Sequence, residues 1–380
     1  MNLFAVPQPG WRRTRDFVRE TKAVWLAFAA SRLLILGLIL LSRGAAARGK
    51  FWQPGGLLEV LTQWDSVYYI HIARHGYFAS PESASTVAFF PFFPLLTSLM
   101  SWIILDVRLA GVVTANLCLL TAGLLLHRLV RVDFEEKRVA DVAVILLMFS
   151  PVSFFFSMAY TEATFLMLAL GSMLAALRKR WLLAGLCGLC LAATRNVGFW
   201  IAVPLFLEHL RQSWSRERPF AAFLHPRLLV LALVPVGLAL FMLFTYLKSG
   251  DFLAFSHAGA TWGRILVSPV STLRTAQYLE PFYRWFFLGM LGIAVTLWCA
   301  GVAARLRRSY LVWAALLITT YLSSNSLEAI PRYLSVVFPF FIVLAAVVAR
   351  HRWSYELVLA VSVSLLTICT FLLANGYWMT

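Results

Sequence analysis

Asp65 sits between Trp64 and a run of tyrosines and histidines in "QWDSVYYIHIARHGYF" (63–78), a polar stretch in a chain dominated by apolar residues. If 66–75 is helical, Trp64, Tyr68, His71 and His75 share one face, being spaced by four, three and four. Gly76 then ends the helix. A carboxylate at the start of such a helix can cap it by accepting backbone N–H groups, or it can serve as a general base. Glu162, in "SPVSFFFSMAYTEATF", is the only carboxylate between Asp141 and Glu208. Arg195 and Asn196 interrupt an apolar stretch in "AATRNVGF", and Arg332 opens another in "EAIPRYLSVVFPF". Charges inside apolar segments are costly, about 2.5–3.5 kcal/mol at a helix centre, and so tend to be functional.

Two carboxylates and two arginines suit transfer of a group away from a phosphate. The departing phosphate needs cations more than an acid, and the arginine fork fits its oxygens. The acceptor hydroxyl needs a base, and one carboxylate suffices. On this reading Asp65 and Glu162 are the catalytic candidates. Trp64, Tyr68, His71, His75, Arg195, Asn196 and Arg332 are the candidates for holding substrate. Because hard cations favour carboxylate oxygens, Asp65 and Glu162 could also share a divalent ion, Mg or Mn.

The elements that must position these groups are membrane helices. Of 380 residues, 61% are hydrophobic and only 13% charged, with a mean hydropathy of +0.79, which points to a polytopic membrane protein. Spans are expected at 22–42, 109–130, 139–157, 160–177, 181–194, 197–210, 226–247, 284–304, 309–322, 333–349 and 354–373, about 11 in all. The net charge of +16 would suggest nucleic acid in a soluble domain, but here the Lys and Arg cluster in short loops, as the positive-inside rule requires. Six basic clusters fall on one side only if the apolar stretch 88–105 does not cross. Its "FFPFFP" start, with two prolines three residues apart, supports that. The whole chain, 1–380, then reads as one integral membrane domain with two long extracytoplasmic loops. The first, 43–108, carries Asp65 and juxtamembrane helices; the second is 248–283. The segments 181–194 and 197–210 read as half-length helices meeting at Arg195-Asn196. The five cysteines, Cys187 and Cys190 among them, lie in apolar segments and read as packing residues. No cleavable signal peptide is visible, since the first apolar stretch follows a polar arm and is long enough to stay in the membrane.

These residues also carry a resemblance. "WDSVYYIHIARHGY" followed by "AFFPFFPLL" resembles the first luminal loop of the class V phosphatidylinositol-glycan (GPI) mannosyltransferases. The likeness continues through "SPVSFFFSMAYTEATF", "ATRNVGF" and, more weakly, "PRYLSVVFPF". It implies an all-α GT-C glycosyltransferase fold, a polyprenyl-phosphate-linked sugar donor (dolichyl-phosphate-mannose in eukaryotes), a glycolipid or glycan acceptor, and inversion at the sugar carbon. Trp64 and Asp65 match the family's Trp-Asp, Glu162 the Glu after its Tyr, and Arg195 the Arg before its Asn. The loops are shorter than in eukaryotic members, and Val197 stands between Asn196 and Gly198. That suggests a prokaryotic relative in the plasma (inner) membrane with an extracytoplasmic site; a eukaryotic chain would place the site in the ER lumen. The rival reading is a transporter or flippase of a lipid-linked sugar, which would carry broken helices and internal repeats. No repeat is visible, and the polar groups are expected on one face, as an enzyme requires.

Overall fold

A computed structural model describes residues 16–42, 55–78, 86–214, 225–260 and 263–377, and among these every regular element is helical. Arg12, Arg13, Arg15, Arg216 and Arg218 of the basic clusters, and parts of both long loops, lie outside the described residues. The helices run α1 (Lys22–Ser42), α2 (Leu57–Leu61), α3 (Asp65–His75), α4 (Phe92–Ser101), α5 (Val107–Asp133) and α6 (Lys137–Met148). Next come α7 (Glu162–Leu177), α8 (Trp181–Ala192), α9 (Ala202–Ser213), α10 (Arg227–Leu231), α11 (Leu233–Ser249) and α12 (Ala254–Gly259). The chain finishes with α13 (Pro269–Thr275), α14 (Pro281–Ala303), α15 (Arg308–Leu322), α16 (Ile330–Leu334), α17 (Phe338–Val348) and α18 (Arg352–Ala374).

Helix length sorts these elements into two groups. The helices α1, α5, α10 with α11, α14 and α18 have 21–27 residues and are apolar enough to cross a membrane. At 1.5 Å per residue they reach about 30 Å or more, the thickness of the hydrocarbon core. The helices α6, α8, α9 and α17 have only 11–12 residues, and α7 and α15 have 16 and 15. They rise about 17–24 Å. Their basic ends lie together: the Gln212 side chain donates to the Ala176 carbonyl at 3.0 Å, and Arg307 pairs with Asp133. At the opposite ends, α7 begins at Glu162 and the chain leaving α8 carries Arg195.

Local chemistry explains several of the breaks. The span expected over 139–157 is not a continuous helix. It stops at Met148, because Pro151 removes a backbone donor and disfavours helix before it, and the chain resumes as a 3₁₀ turn over Ser153–Phe156. The span expected at 333–349 likewise begins as the short α16 and restarts at Phe338. The stretch 88–105 holds only the ten-residue α4, about 15 Å long and half a bilayer core. Asp106 caps α5 by accepting from the backbone N–H groups of Arg108 at 2.8 Å and Leu109 at 3.2 Å. These contacts hold its carboxyl below the usual range. Among the long helices α5 is the most enclosed and α14 the least. Lipid gives helices no hydrophobic reason to associate, so close approach relies on small residues. At Gly237 a Cβ would lie 2.1 Å from the Leu189 carbonyl oxygen, which is how α11 sits against α8.

Candidate active site

The site assembles where α3, the turn before α7, the junction after α8 and α16 meet. Asp65 is the first residue of α3, and its carboxylate does not cap that helix: Arg332 Nη1 lies 2.6 Å from Asp65 Oδ2. The Nε of the same guanidinium is 2.8 Å from Glu162 Oε1, and Arg195 Nη1 reaches that oxygen at 3.0 Å. Asp65 and Glu162 thus meet through Arg332 rather than directly. Exposure separates the two acids: the Asp65 side chain is 31% exposed, whereas Glu162 is fully buried. Both arginines are nearly enclosed, at 9% and 12%.

Backbone ties hold these parts in register. The Ala159 N–H donates to the Leu61 carbonyl at 3.0 Å, and the Asp65 N–H reaches the Tyr160 hydroxyl at 3.3 Å. The Phe92 N–H donates to the Ala193 carbonyl at 3.0 Å, tying the start of α4 to the junction that carries Arg195. That junction needs Gly198, where a Cβ would fall 2.2 Å from the Leu191 carbonyl oxygen. Trp64 precedes α3 with φ 55° and ψ −122°, a left-handed backbone that is strained for any residue but glycine.

Three arginines surround one aromatic ring. The guanidinium carbons of Arg195, Arg332 and Arg264 lie 4.9, 5.5 and 5.9 Å from the centre of the Tyr333 ring. Arg264 also donates to the Tyr333 hydroxyl at 2.8 Å, and Tyr321 stacks on the ring at 4.3 Å. Three cations therefore face two carboxylates. Several polar atoms nearby are buried without a partner among the described residues: Glu162 Oε2, both side-chain polar atoms of Gln63, the Thr161 hydroxyl and the Tyr321 hydroxyl. Such atoms are uncommon in folded proteins and mark places that receive water or ligand.

The remaining sequence candidates are placed elsewhere. Tyr68 stacks on Phe89 at 4.5 Å, and the rings of His71 and His75 face each other at 5.1 Å. Among the described residues neither histidine hydrogen-bonds to the arginine cluster, and His71 Nε2 is buried without a partner. Tyr69 is the residue turned towards it. Its ring packs edge-on against Phe89 and Phe93. Burial pushes its phenol above the ordinary value, and the charges of Asp65 and Glu162 push it further. Asn196 is exposed, and its side-chain oxygen accepts from the adjacent Val197 N–H at 2.8 Å. Cys187 and Cys190 are free thiols. The carboxylate pair does not fit a divalent ion: Arg332 occupies the space between them, and no group of three acid, His or Cys side chains gathers among the described residues.

Sequence reasoning missed Arg32, Tyr69, Tyr160, Tyr321 and Arg264. Arg32 is buried in α1 and its guanidinium donates to the Ser157 and Ser153 hydroxyls at 2.7 and 2.6 Å and to the Met148 and Ser153 carbonyls at 3.0 and 3.1 Å. It fastens the break between α6 and α7, upstream of Glu162. Its signal was an arginine inside an apolar segment, the same signal that exposed Arg195.

A sequence model of the mannosyltransferase (PIG-V) family matches residues 50–246. The chain belongs to that family. It is 33% identical over 148 residues to GPI mannosyltransferase 2 of Chaetomium globosum, and 32% identical over 155 residues to GPI alpha-1,6-mannosyltransferase 2 of Mus musculus. Those alignments cover 34% and 38% of this chain, and 31% and 30% of the relatives. The matched stretch is thus under a third of either relative's length. In fold the chain resembles the oligosaccharyltransferase of Archaeoglobus fulgidus, with TM-score 0.54 and 15% identity over 95% of this chain and 55% of that one. It also resembles ArnT of Cupriavidus metallidurans, solved bound to undecaprenyl phosphate, with TM-score 0.54 and 17% identity over 86% of this chain and 60% of that one. The fold is therefore GT-C, in an integral membrane protein. Within this PIG-V family chain, Asp65, Glu162 and Arg195 lie in the matched stretch, while Arg264 and Arg332 lie beyond it.

Proposed function

We propose that the protein moves a sugar, mannose by family precedent, from a polyprenyl-phosphate-linked donor to a hydroxyl of a lipid-linked or glycan acceptor, with inversion. The observation that carries this reading is the excess of arginine over carboxylate around Tyr333. Arg195, Arg264 and Arg332 together suit the one phosphate of a lipid-linked sugar, the kind of group that the C. metallidurans neighbour binds. Beside helices too short to cross the hydrocarbon core, that phosphate meets the arginines while its isoprenoid tail stays in the bilayer.

Asp65 is the base, since it is the carboxylate that solvent and an acceptor can reach. It takes the proton of the acceptor hydroxyl as that oxygen attacks the anomeric carbon. The bond from that carbon to the phosphate oxygen breaks, and the leaving phosphate keeps the electron pair, its charge met by the arginines. One in-line displacement inverts the carbon. A donor phosphate that draws Arg332 to itself also frees Asp65 for its proton. Glu162, fully buried, acts on the arginines and not on substrate: it fixes Arg195 and Arg332 on one oxygen.

The test is a reconstituted assay with polyprenyl-phosphate-mannose, following release of polyprenyl phosphate and the anomeric configuration of the product. Transfer from the lipid donor with an inverted linkage is expected. Equal transfer from a nucleotide sugar would overturn the donor assignment, and a retained linkage would overturn the role of Asp65.

A further inference from the structure

A second polar region lies at the other end of the helices, among the basic turns. A cavity of about 900 Å³ opens there between α9, α15, α17 and the turn from α14 to α15. Five arginines and two carboxylates line it, leaving three positive charges in excess. The carboxylates are already committed: Arg307 pairs with Asp133 and lies 3.5 Å from Glu208, and Arg211 holds the other Glu208 oxygen at 2.8 Å. Among the described residues no acidic partner meets Arg305, Arg308 or Arg350. The rest of the lining is largely apolar, with residues such as Trp214, Val343 and Val347, of which Trp214 and Val347 are more than half exposed.

Arg305 occupies a position that favours glycine. It ends α14 with φ 54°; its N–H donates to the Val302 carbonyl at 3.0 Å and the Leu306 N–H to the Gly301 carbonyl at 2.9 Å. This is the left-handed helix stop at which most side chains are strained. An arginine held there despite strain, lining a cavity with two other uncommitted arginines, has a use for its charge.

We propose that this cavity binds the phosphodiester headgroup of an anionic phospholipid, with Arg305, Arg308 and Arg350 on the phosphate and an acyl chain along Val343 and Val347. Basic pockets between membrane helices suit such headgroups. The apolar lining favours a lipid over a free phosphate, which would use only the arginines.

The test compares wild-type protein with the Arg305→Gly/Arg308→Gln/Arg350→Gln variant. Both are delipidated and offered phosphatidylglycerol, phosphatidylcholine of the same chains, or inorganic phosphate, with bound adducts counted by native mass spectrometry. Glycine relieves the strain at 305, so a loss there is not a folding defect, and the melting temperature checks the fold. Phosphatidylglycerol should bind wild type in preference to phosphatidylcholine, weakened by salt. The triple variant should bind it at least about tenfold more weakly. Equal binding of the two lipids, undiminished binding by the variant, or full displacement by inorganic phosphate would each overturn the proposal.

Discussion

The two ends of this protein each gather arginines and carboxylates, yet they are built differently. At the basic end every side-chain oxygen of Asp133 and Glu208 has a donor. Arg307 and the Tyr310 hydroxyl, at 2.9 Å, serve Asp133; the Ser309 hydroxyl, at 2.8 Å, and Arg211 serve Glu208. At the other end two guanidiniums crowd one oxygen of Glu162, while its second oxygen and the neighbouring Gln63, Thr161 and Tyr321 groups are buried unpaired among the described residues. A fully satisfied network rigidifies a fold, whereas a partly satisfied one in a low-dielectric setting is costly unless something completes it. The Asp133–Glu208 network is therefore a staple between α5, α9 and α15, and the Asp65–Glu162 network is the one we propose as the site. Polar groups cluster at both ends, but the carboxylates of the basic end are spent on each other's neighbours.

Mutations at the two ends should separate these roles. Asp65→Asn keeps size but cannot take a proton at neutral pH, so turnover in the lipid-donor assay should fall by about 10²–10⁴-fold with the melting temperature unchanged. Wild-type turnover would remove Asp65 from the chemistry. Arg307→Ala should behave in the opposite way. It leaves the enclosed Asp133 without its cation and should cost about 3 kcal/mol of stability, read as a lowered thermal midpoint, while turnover per folded molecule is kept.

Arg195→Ala should reduce kcat/KM for the lipid donor by roughly 10–100-fold, the worth of a charged hydrogen bond. Arg195→Lys should recover only part, because an ammonium cannot make the forked contact; full recovery would mean that simple charge suffices. Glu162→Gln should raise the donor KM by about tenfold through loosened arginines, with less effect on kcat than Asp65→Asn. A larger fall in kcat than Asp65→Asn would make Glu162 the base. The smallest change is expected from Tyr310→Phe, about 1 kcal/mol of stability and no change in kcat; an altered kcat would break the division into staple and site.

Most of the site's residues were legible one by one. Asp65, Glu162, Arg195 and Arg332 stand out because a charge among apolar residues is rare, and composition with periodicity was enough to give an all-helical membrane protein with its long spans. The sequence did not reveal which of them touch. Asp65 and Arg332 are 267 positions apart, and only the packing of α3 against the turn before α7 and against α16 puts one guanidinium between two acids. Arg264 went unnoticed because one arginine in a long loop looks like any other; its signal was its place away from the basic clusters. Periodicity placed Tyr68 and Tyr69 on different faces of α3 but could not say which face turns inward. That choice rests on Phe89 and Phe93, which hold Tyr69 edge-on beside the cluster. The halt of α6 at Met148 followed from a proline, but its position followed from Arg32, whose hydrogen bonds reach 116 to 125 residues away. Local chemistry in the sequence fixes what each residue can do and where helices can end. Which charges share a partner, and which are left to meet a substrate, is decided by long-range packing.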